Sequence, residues 1–298
     1  MEADRILDRR RLKRRLAIWR AVAVLAAVAA VAALTARFVL PTGKHVARLS
    51  IDGIIVDDVD RERALDALLE DDDAQALIVS INSPGGTTAG SESLYRALLK
   101  VGEQKPVVAV IGTLGASGGY IVAVAADHIV ARETSLTGSI GVLMETAEVS
   151  GLLDKLGITT EMRRSSPLKG QPTPLEPLTD EVRAAIDAVI QDSYAWFVEL
   201  VRERRKLSGD EARAVSDGRI FTGRQAIDHK LIDAIGGERE ARTWLERERK
   251  VSSKLPVEEV HYGEGSSVVE RLVDSMAQKV LSFEPLILDG LVSVWQPR

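Results

Sequence analysis

Beyond its first 45 residues the chain alternates short apolar runs with longer stretches of helical periodicity. Ala76–Ile81 and Pro106–Ile111 are almost continuously apolar, the pattern of strands buried on both faces of a parallel sheet. Val46–Ile51 reads as a strand ahead of them. His128–Ala131, Ser139–Leu143 and Ile158–Met162 are further strand candidates. Between these runs, Arg61–Leu69 reads as an amphipathic helix ending in the acidic run Glu70-Asp71-Asp72-Asp73. Asn82-Ser83-Pro84-Gly85-Gly86 reads as a turn, with a helix following to about Val101. Further helices are expected over Tyr120–Ala126 and Val149–Leu156. Ser165 to Pro177 holds four of the ten prolines, which predicts a stiff, extended loop. A long helix is expected from about Thr179 to Lys206, with Thr179 as its cap and Glu181 in its first turn. Ser208–Val215, Arg224–Asp228 and Glu238–Lys250 complete the helices of the body. In the tail, Val268–Leu281 has helical periodicity and Phe283–Trp295 is strongly apolar. Such alternation predicts an α/β fold with a mainly parallel sheet. Sheets of that kind place their sites at the C-terminal ends of strands, where both glycine-rich turns of this chain fall.

The N-terminus follows a different pattern. Eight basic and three acidic side chains fill the first twenty residues, so that segment is +5 and the remainder −10. Ala21–Ala36 then carries no charge. With Leu16–Trp19 before it and Phe38–Leu40 after it, the apolar stretch is long enough to cross a bilayer, which needs about 20 residues. Trp19 and Phe38 stand where interfacial aromatics belong, and the Arg-rich end belongs in the cytoplasm. The expected organisation is a cytoplasmic basic tail (1–15), a transmembrane anchor in lipid (16–40), a linker (41–45), a catalytic body (46–250) and a C-terminal tail (251–298). The body then lies on the extracytoplasmic side of the membrane. A cleaved signal peptide ending near Ala30-Val31-Ala32 is a competing reading. A soluble amphipathic helix fits poorly, because apolar residues cover every face.

Composition narrows the chemistry. Aromatics are only 4%, so aliphatic side chains must build the core and base stacking is not indicated. The acidic body argues against nucleic acid as a partner. The absence of cysteine excludes disulfides and thiolate metal sites, and suits an oxidising compartment. The histidines at 45, 128, 229 and 261 show no metal-ligand spacing. No metal or other cofactor is expected.

The most informative segment is Gly115-Ala116-Ser117-Gly118-Gly119-Tyr120, directly after the run ending at Ile111. Acyl-transfer enzymes place nucleophilic serines at such strand-to-helix turns, and a helix starting there aims N–H groups at an oxyanion. A capping serine at an ordinary helix start is the plainer alternative. Gly115-x-Ser117-x-Gly119 also satisfies the GxSxG elbow, which would require an acid and then a histidine downstream. His229 and His261 are the available partners, and Asp127-His128 follows the expected helix. Ser166-Pro167-Leu168-Lys169 fits S-x-x-K, but Pro167 sits inside the helical turn that motif needs. A serine working with a lysine base is the remaining possibility.

Four segments in order carry a family resemblance: Asn82–Gly86, Gly115–Tyr120, Leu136-Thr137-Gly138-Ser139-Ile140-Gly141-Val142, and Lys169 in the proline-rich loop. Over roughly residues 46–240 the chain resembles signal peptide peptidase A, a family of bacterial membrane-bound serine peptidases. The resemblance implies a crotonase/Clp-protease-like fold of repeated ββα units, here with the N-terminal transmembrane helix and a helical C-terminal extension. It implies Ser117 as nucleophile, Lys169 as general base, Ser139 orienting the lysine, and the N–H groups of Gly86 and Gly118 as oxyanion hole. A lysine is ordinarily protonated at neutral pH, so a basic role needs apolar surroundings. Pro167 and Leu168 are the neighbours that offer them. One departure stands out: the loop reads Arg164-Ser165-Ser166-Pro167-Leu168-Lys169, where a small residue or glycine is expected shortly before the lysine.

The implied activity is a Ser-Lys endopeptidase that cleaves remnant signal peptides and other extended apolar peptides. The implied assembly is a homo-oligomer with composite sites. Leu114, Ala116 and Tyr120 are candidates for the substrate groove, and each suits the core equally. Three other classes compete. They are a Ser-His-Asp hydrolase, a crotonase-type acyl-CoA enzyme using the same glycine turns without a Ser-Lys pair, and a membrane scaffold without activity.

Overall fold

The computed structural model describes residues 15–16, 18–26, 43–263 and 292–294. It comprises two units, Met1–Lys44 and His45–Arg298. In the first unit residues 15–16 and 18–26 are helical. The basic tail up to residue 14 and most of the expected anchor, residues 27–40, lie outside the described residues. Among the described residues no helix is long and apolar enough to cross a membrane. The helical stretch expected at 268–281 also lies outside them.

The second unit is a mixed α/β fold. β1 (His45–Ile55), β2 (Ala74–Thr87) and β3 (Val107–Ala116) alternate with α1 (Val59–Glu70) and α2 (Thr88–Gly102). α3 (Gly118–Ala123), β4 (His128–Ala131), β5 (Leu136–Gly138), α4 (Ser150–Lys155) and α5 (Asp180–Arg204) follow. The chain continues through α6 (Gly209–Val215), β6 (Ile220–Thr222), α7 (Gly223–Asp228), β7 (Ala234–Ile235), α8 (Glu238–Arg249), β8 (Val257–Glu259) and β9 (Val292–Val294). The strands join in one sheet of order β6-β5-β3-β2-β1-β8, with β4 beside β3 and β7, and β9 beside β2. β1, β2 and β3 pair in parallel, as do β3 with β4 and β5; β6 pairs antiparallel with β5, and β9 antiparallel with β2.

The central strands are apolar throughout because both faces are covered. Leu77, Val79 and Ile81 of β2 join one core with Leu49, Ala109 and residues of α2, α3 and α5. Ala76 and Ile78 point the other way, into a second core with Val108, Val130 and Leu245 of α8. The caps follow local rules: Thr179 Oγ1 accepts from Val182 N–H at the start of α5, and Ser208 and Glu211 form a capping box on α6.

Three expectations need correction. Asn82–Gly86 is not a separate turn, since β2 runs through it to Thr87. The extension persists because β1 continues beside it, pairing Ile54 with Gly85 and Ile55 with Gly86. The strand expected at Ser139–Leu143 ends instead at Gly138, because Gly138 (φ 83°) and Ser139 (φ 51°) turn the chain out of the sheet. Ile158–Met162 is exposed and irregular, with no strand beside it among the described residues.

α3 is only six residues long and wholly buried, and the chain leaves it through Val124–Ala126, whose carbonyls lie beyond the helix and need partners of their own. Arg204, at the end of α5, supplies one. Its Nε donates to Val124 O (2.7 Å) and its Nη2 to Ala125 O (3.0 Å) and Ala126 O (3.1 Å). A cation at a helix C-terminus also complements the helix dipole. Arg204→Met keeps most of the apolar stem and leaves those carbonyls bare. It is expected to lower unfolding stability by roughly 1.5–3 kcal/mol, measured by urea titration.

Candidate active site

The site is built where β2, β3 and β5 end. Ser117 follows the last residue of β3 and caps α3 with φ 55° and ψ −118°, a conformation that non-glycine residues rarely adopt. Its N–H donates to Gly138 O at 2.8 Å, and Thr137 Oγ1 donates to Gly115 O at 2.7 Å. The end of β5 is thereby fastened to the turn that holds Ser117. Ser139 comes next, buried, with its N–H on Arg219 O at 2.8 Å.

The two glycine motifs meet here. A Cβ on Gly118 would stand 3.0 Å from Gly86 N and 3.2 Å from Gly85 Cα, and would collide with Ser91 Oγ. A Cβ on Gly119 would stand 2.9 Å from Ser83 O, and one on Gly86 would collide with Ile55 O. Only glycine permits backbones to pack this closely. Ser117, Gly86, Gly118 and Ser139 are thus gathered in one buried cluster, between the starts of α2 and α3. The first N–H groups of a helix have no partner within it and carry partial positive charge. This arrangement suits stabilisation of an oxyanion beside Ser117.

Lys169 stands apart from that cluster in burial. It is exposed on the irregular segment between α4 and α5, and its N–H closes a turn on Ser166 O. Pro167 and Leu168 are exposed with it. Ala116 and Tyr120 are fully buried and serve the core, the Tyr120 hydroxyl donating to Leu231 O at 2.7 Å. Burial drives the pKa of that hydroxyl well above the usual phenol range. Leu114 is half-buried at the edge of the site.

The histidines occupy other places. His128 begins β4 and pairs in register with Val108, eight residues before the end of β3. At about 3.3 Å per residue that places it roughly 26 Å from the Ser117 turn. Its ring stacks on Trp244 at 4.7 Å and its Nδ1 faces Asp233 at 3.9 Å, while burial pushes its pKa down. His45 likewise begins β1, and His229 lies exposed with its edge on Phe221.

Sequence reasoning passed over Ser91, Thr137 and Gly138. Ser91 is fully buried in α2, and its side chain is what a larger residue at 118 would strike. Its only signal is a small residue five positions after a glycine turn. Thr137 and Gly138 belong to the Leu136–Val142 segment, but their bonds to Gly115 and Ser117 follow from β5 pairing with β3.

A buried, strained serine beside two converging glycine segments at the ends of parallel strands is an arrangement that could support acyl transfer. Residues 100–252 match the profile of peptidase family S49. A Synechocystis sp. protein named "Putative protease slr0021" is 37% identical over 209 residues, covering 70% of this chain and 75% of the relative. "Putative signal peptide peptidase SppA" of Enterococcus faecium is 30% identical over 231 residues, covering 73% of this chain and 67% of the relative. This chain spans less of other relatives, 33% of "Protease 4" of Haemophilus influenzae. Among solved structures, the S97A mutant of the 1510-N membrane-bound stomatin-specific protease aligns with 74% of this chain and 98% of that one. Its sequence identity is 14% and its TM-score 0.46. The chain belongs to peptidase family S49.

Replacing Ser117 by glycine should relieve the backbone and remove the candidate hydroxyl together. Ser117→Gly is expected to be more stable than the parent by about 1 kcal/mol and to lose all labelling by a fluorophosphonate probe. Chemical denaturation and gel-based labelling read the two effects separately.

Proposed function

We propose that this chain is a membrane-anchored serine endopeptidase of the Ser-Lys type. The observation that carries the reading is the buried Ser117, held at positive φ between the backbones of Gly86 and Gly118. Ser117 Oγ attacks the scissile carbonyl while the Lys169 amine takes its proton. The N–H groups of Gly86 and Gly118 receive the oxyanion. Collapse expels the amine half of the peptide, which takes the proton back from Lys169. Water activated by the same amine then releases the acyl half. Ser139, beside the nucleophile turn, orients the lysine.

The substrate is an extended, apolar peptide, with signal peptides left in the membrane as the natural class. Strand addition is supported by β9, which lies antiparallel on Gly85–Thr87, pairing Gly86 with Ser293. That edge of β2 carries the oxyanion glycine, and a peptide bound there passes Ser117 with its backbone hydrogen-bonded. Leu114 borders this path. The fold behind the reading is the Clp-protease-like ββα superhelix, and the parallel pairing of β1, β2 and β3 under helices is compatible with it.

The active form is a homo-oligomer with composite sites. Support comes from the exposure of Leu143, Leu152, Leu156, Ile158, Met162 and Leu168 on the segment that carries Lys169. A neighbouring copy covering this face supplies the apolar surroundings that a basic lysine needs. The N-terminal apolar stretch anchors the chain in lipid with the catalytic body on the extracytoplasmic side. Protease added to spheroplasts is then expected to digest the body while a cytoplasmic marker survives; a protected body refutes this topology.

The decisive test concerns the base. Arginine keeps the charge of lysine but does not release its proton at usable pH. Lys169→Arg is expected to cut the turnover of a peptide substrate by about 10²–10⁴-fold or more, with the fold and assembly unchanged. A folded variant working near the parental rate would remove Lys169 from the mechanism.

A further inference from the structure

The segment that carries Lys169 has no helix or strand of its own from Ile158 to Thr179. An exposed tip of that kind ordinarily samples many conformations. Here its base is closed by a charged cluster. Arg164 meets Glu176, twelve positions further on, through two parallel hydrogen bonds. Nη1 donates to Oε2 and Nη2 to Oε1, each at 3.0 Å. Gln171 Nε2 donates to the same Oε2 at 3.1 Å. The Arg164 side chain is only 15% exposed, so this is not the ordinary surface ion pair that contributes almost nothing. A bidentate guanidinium–carboxylate pair fixes angle as well as distance.

Lys169 lies inside the loop that this pair closes. Two successive turns bracket it, Lys169 N–H on Ser166 O and Gln171 N–H on Leu168 O. The far limb is tied down by Val149 N–H donating to Pro174 O at 2.8 Å, at the start of α4. Arg164 Nε and Gln171 Oε1 are a buried donor and a buried acceptor, each without a partner among the described residues.

We propose that Arg164, Glu176 and Gln171 form a clamp that presents Lys169 for the proton transfer, with Arg164 and Glu176 as positioning residues. The inference rests on Lys169 being the base. A general base must come within about 2.6–3.2 Å of the proton it takes. A displacement of about 1 Å costs on the order of 10²-fold in rate. A lysine at the middle of a proline-rich loop meets that tolerance only when both ends of the loop are fixed. A clamp that acts this way changes turnover and leaves ground-state substrate binding alone.

The test uses the full-length chain in its assembled form and a fluorogenic peptide substrate. Glu176→Gln keeps the shape of the side chain and removes its charge. It is expected to lower kcat by about 10- to 100-fold with KM changed less than about twofold. The exchanged pair Arg164→Glu with Glu176→Arg rebuilds the ion pair and is expected to recover at least about tenfold of that loss. Gln171→Leu, which leaves the ion pair in place, is expected to lower kcat by a smaller factor, and serves if Glu176→Gln does not fold. Lys169→Ala is measured in parallel. If Lys169→Ala is inactive while folded Glu176→Gln turns over at the parental rate, the clamp is refuted and the lysine reading stands. If Lys169→Ala is active, both fall. A loss carried by KM, or one that the exchanged pair does not reverse, also overturns the clamp.

Discussion

The close approach of two glycine-bearing segments is the constraint on which the candidate site depends. Gly118 and Gly119 press against Ser83–Gly86 so tightly that a single carbon added at either meets main-chain atoms of that segment, and one added at Gly86 meets Ile55 on its other side. This contact brings together the end of β2 and the start of α3, which are distant in sequence. It also fixes where the amide groups at the starts of α2 and α3 point. An oxyanion hole assembled from main chain needs no side-chain rearrangement during the reaction, which is what makes such preorganised dipoles effective.

The rest of the fold keeps that contact in place from behind. The parallel pairing of β1, β2 and β3 continues past the ordinary strand ends, so the glycines of β2 are clamped to Ile54 and Ile55 on one side. β5 fastens the Ser117 turn on the other, through Gly138 O. Arg204 reaches from the end of the long helix α5 to satisfy the far end of α3. The strained backbone at Ser117 persists because sheet, helix and arginine together over-determine it.

Serine and lysine are treated differently by this architecture. Ser117 belongs to the rigid, fully buried part of the molecule. Lys169 belongs to an exposed, proline-rich loop whose order comes from polar contacts, chiefly the Arg164–Glu176 pair. If Ser117 and Lys169 act together as proposed, a lysine on a separately braced loop depends on what packs over it. An exposed apolar face beside that loop gives a neighbouring copy something to bury. Catalysis and assembly would then draw on the same surface.

The amino-acid sequence by itself determined the alternation of elements, because buried parallel strands such as Ala76–Ile81 are apolar on both faces and the caps at Thr179 and Ser208 are local. It also singled out Ser117, Gly86, Gly118, Ser139 and Lys169, through turn chemistry and a motif order shared with a peptidase family. Tertiary structure alone decided that β2 runs through its glycines, because the partner strand β1 continues beside them. It decided that Ser139–Leu143 leaves the sheet, because two positive-φ residues turn it away. It assigned Tyr120 to the core and His128 to a stack on Trp244, since burial and register are properties of the packed sheet. The partnership of Arg164 with Glu176 was equally invisible, because charged residues twelve positions apart in a loop have no period to betray them. Local pattern reports what each segment can become; only packing reports which backbone atoms come to lie against one another.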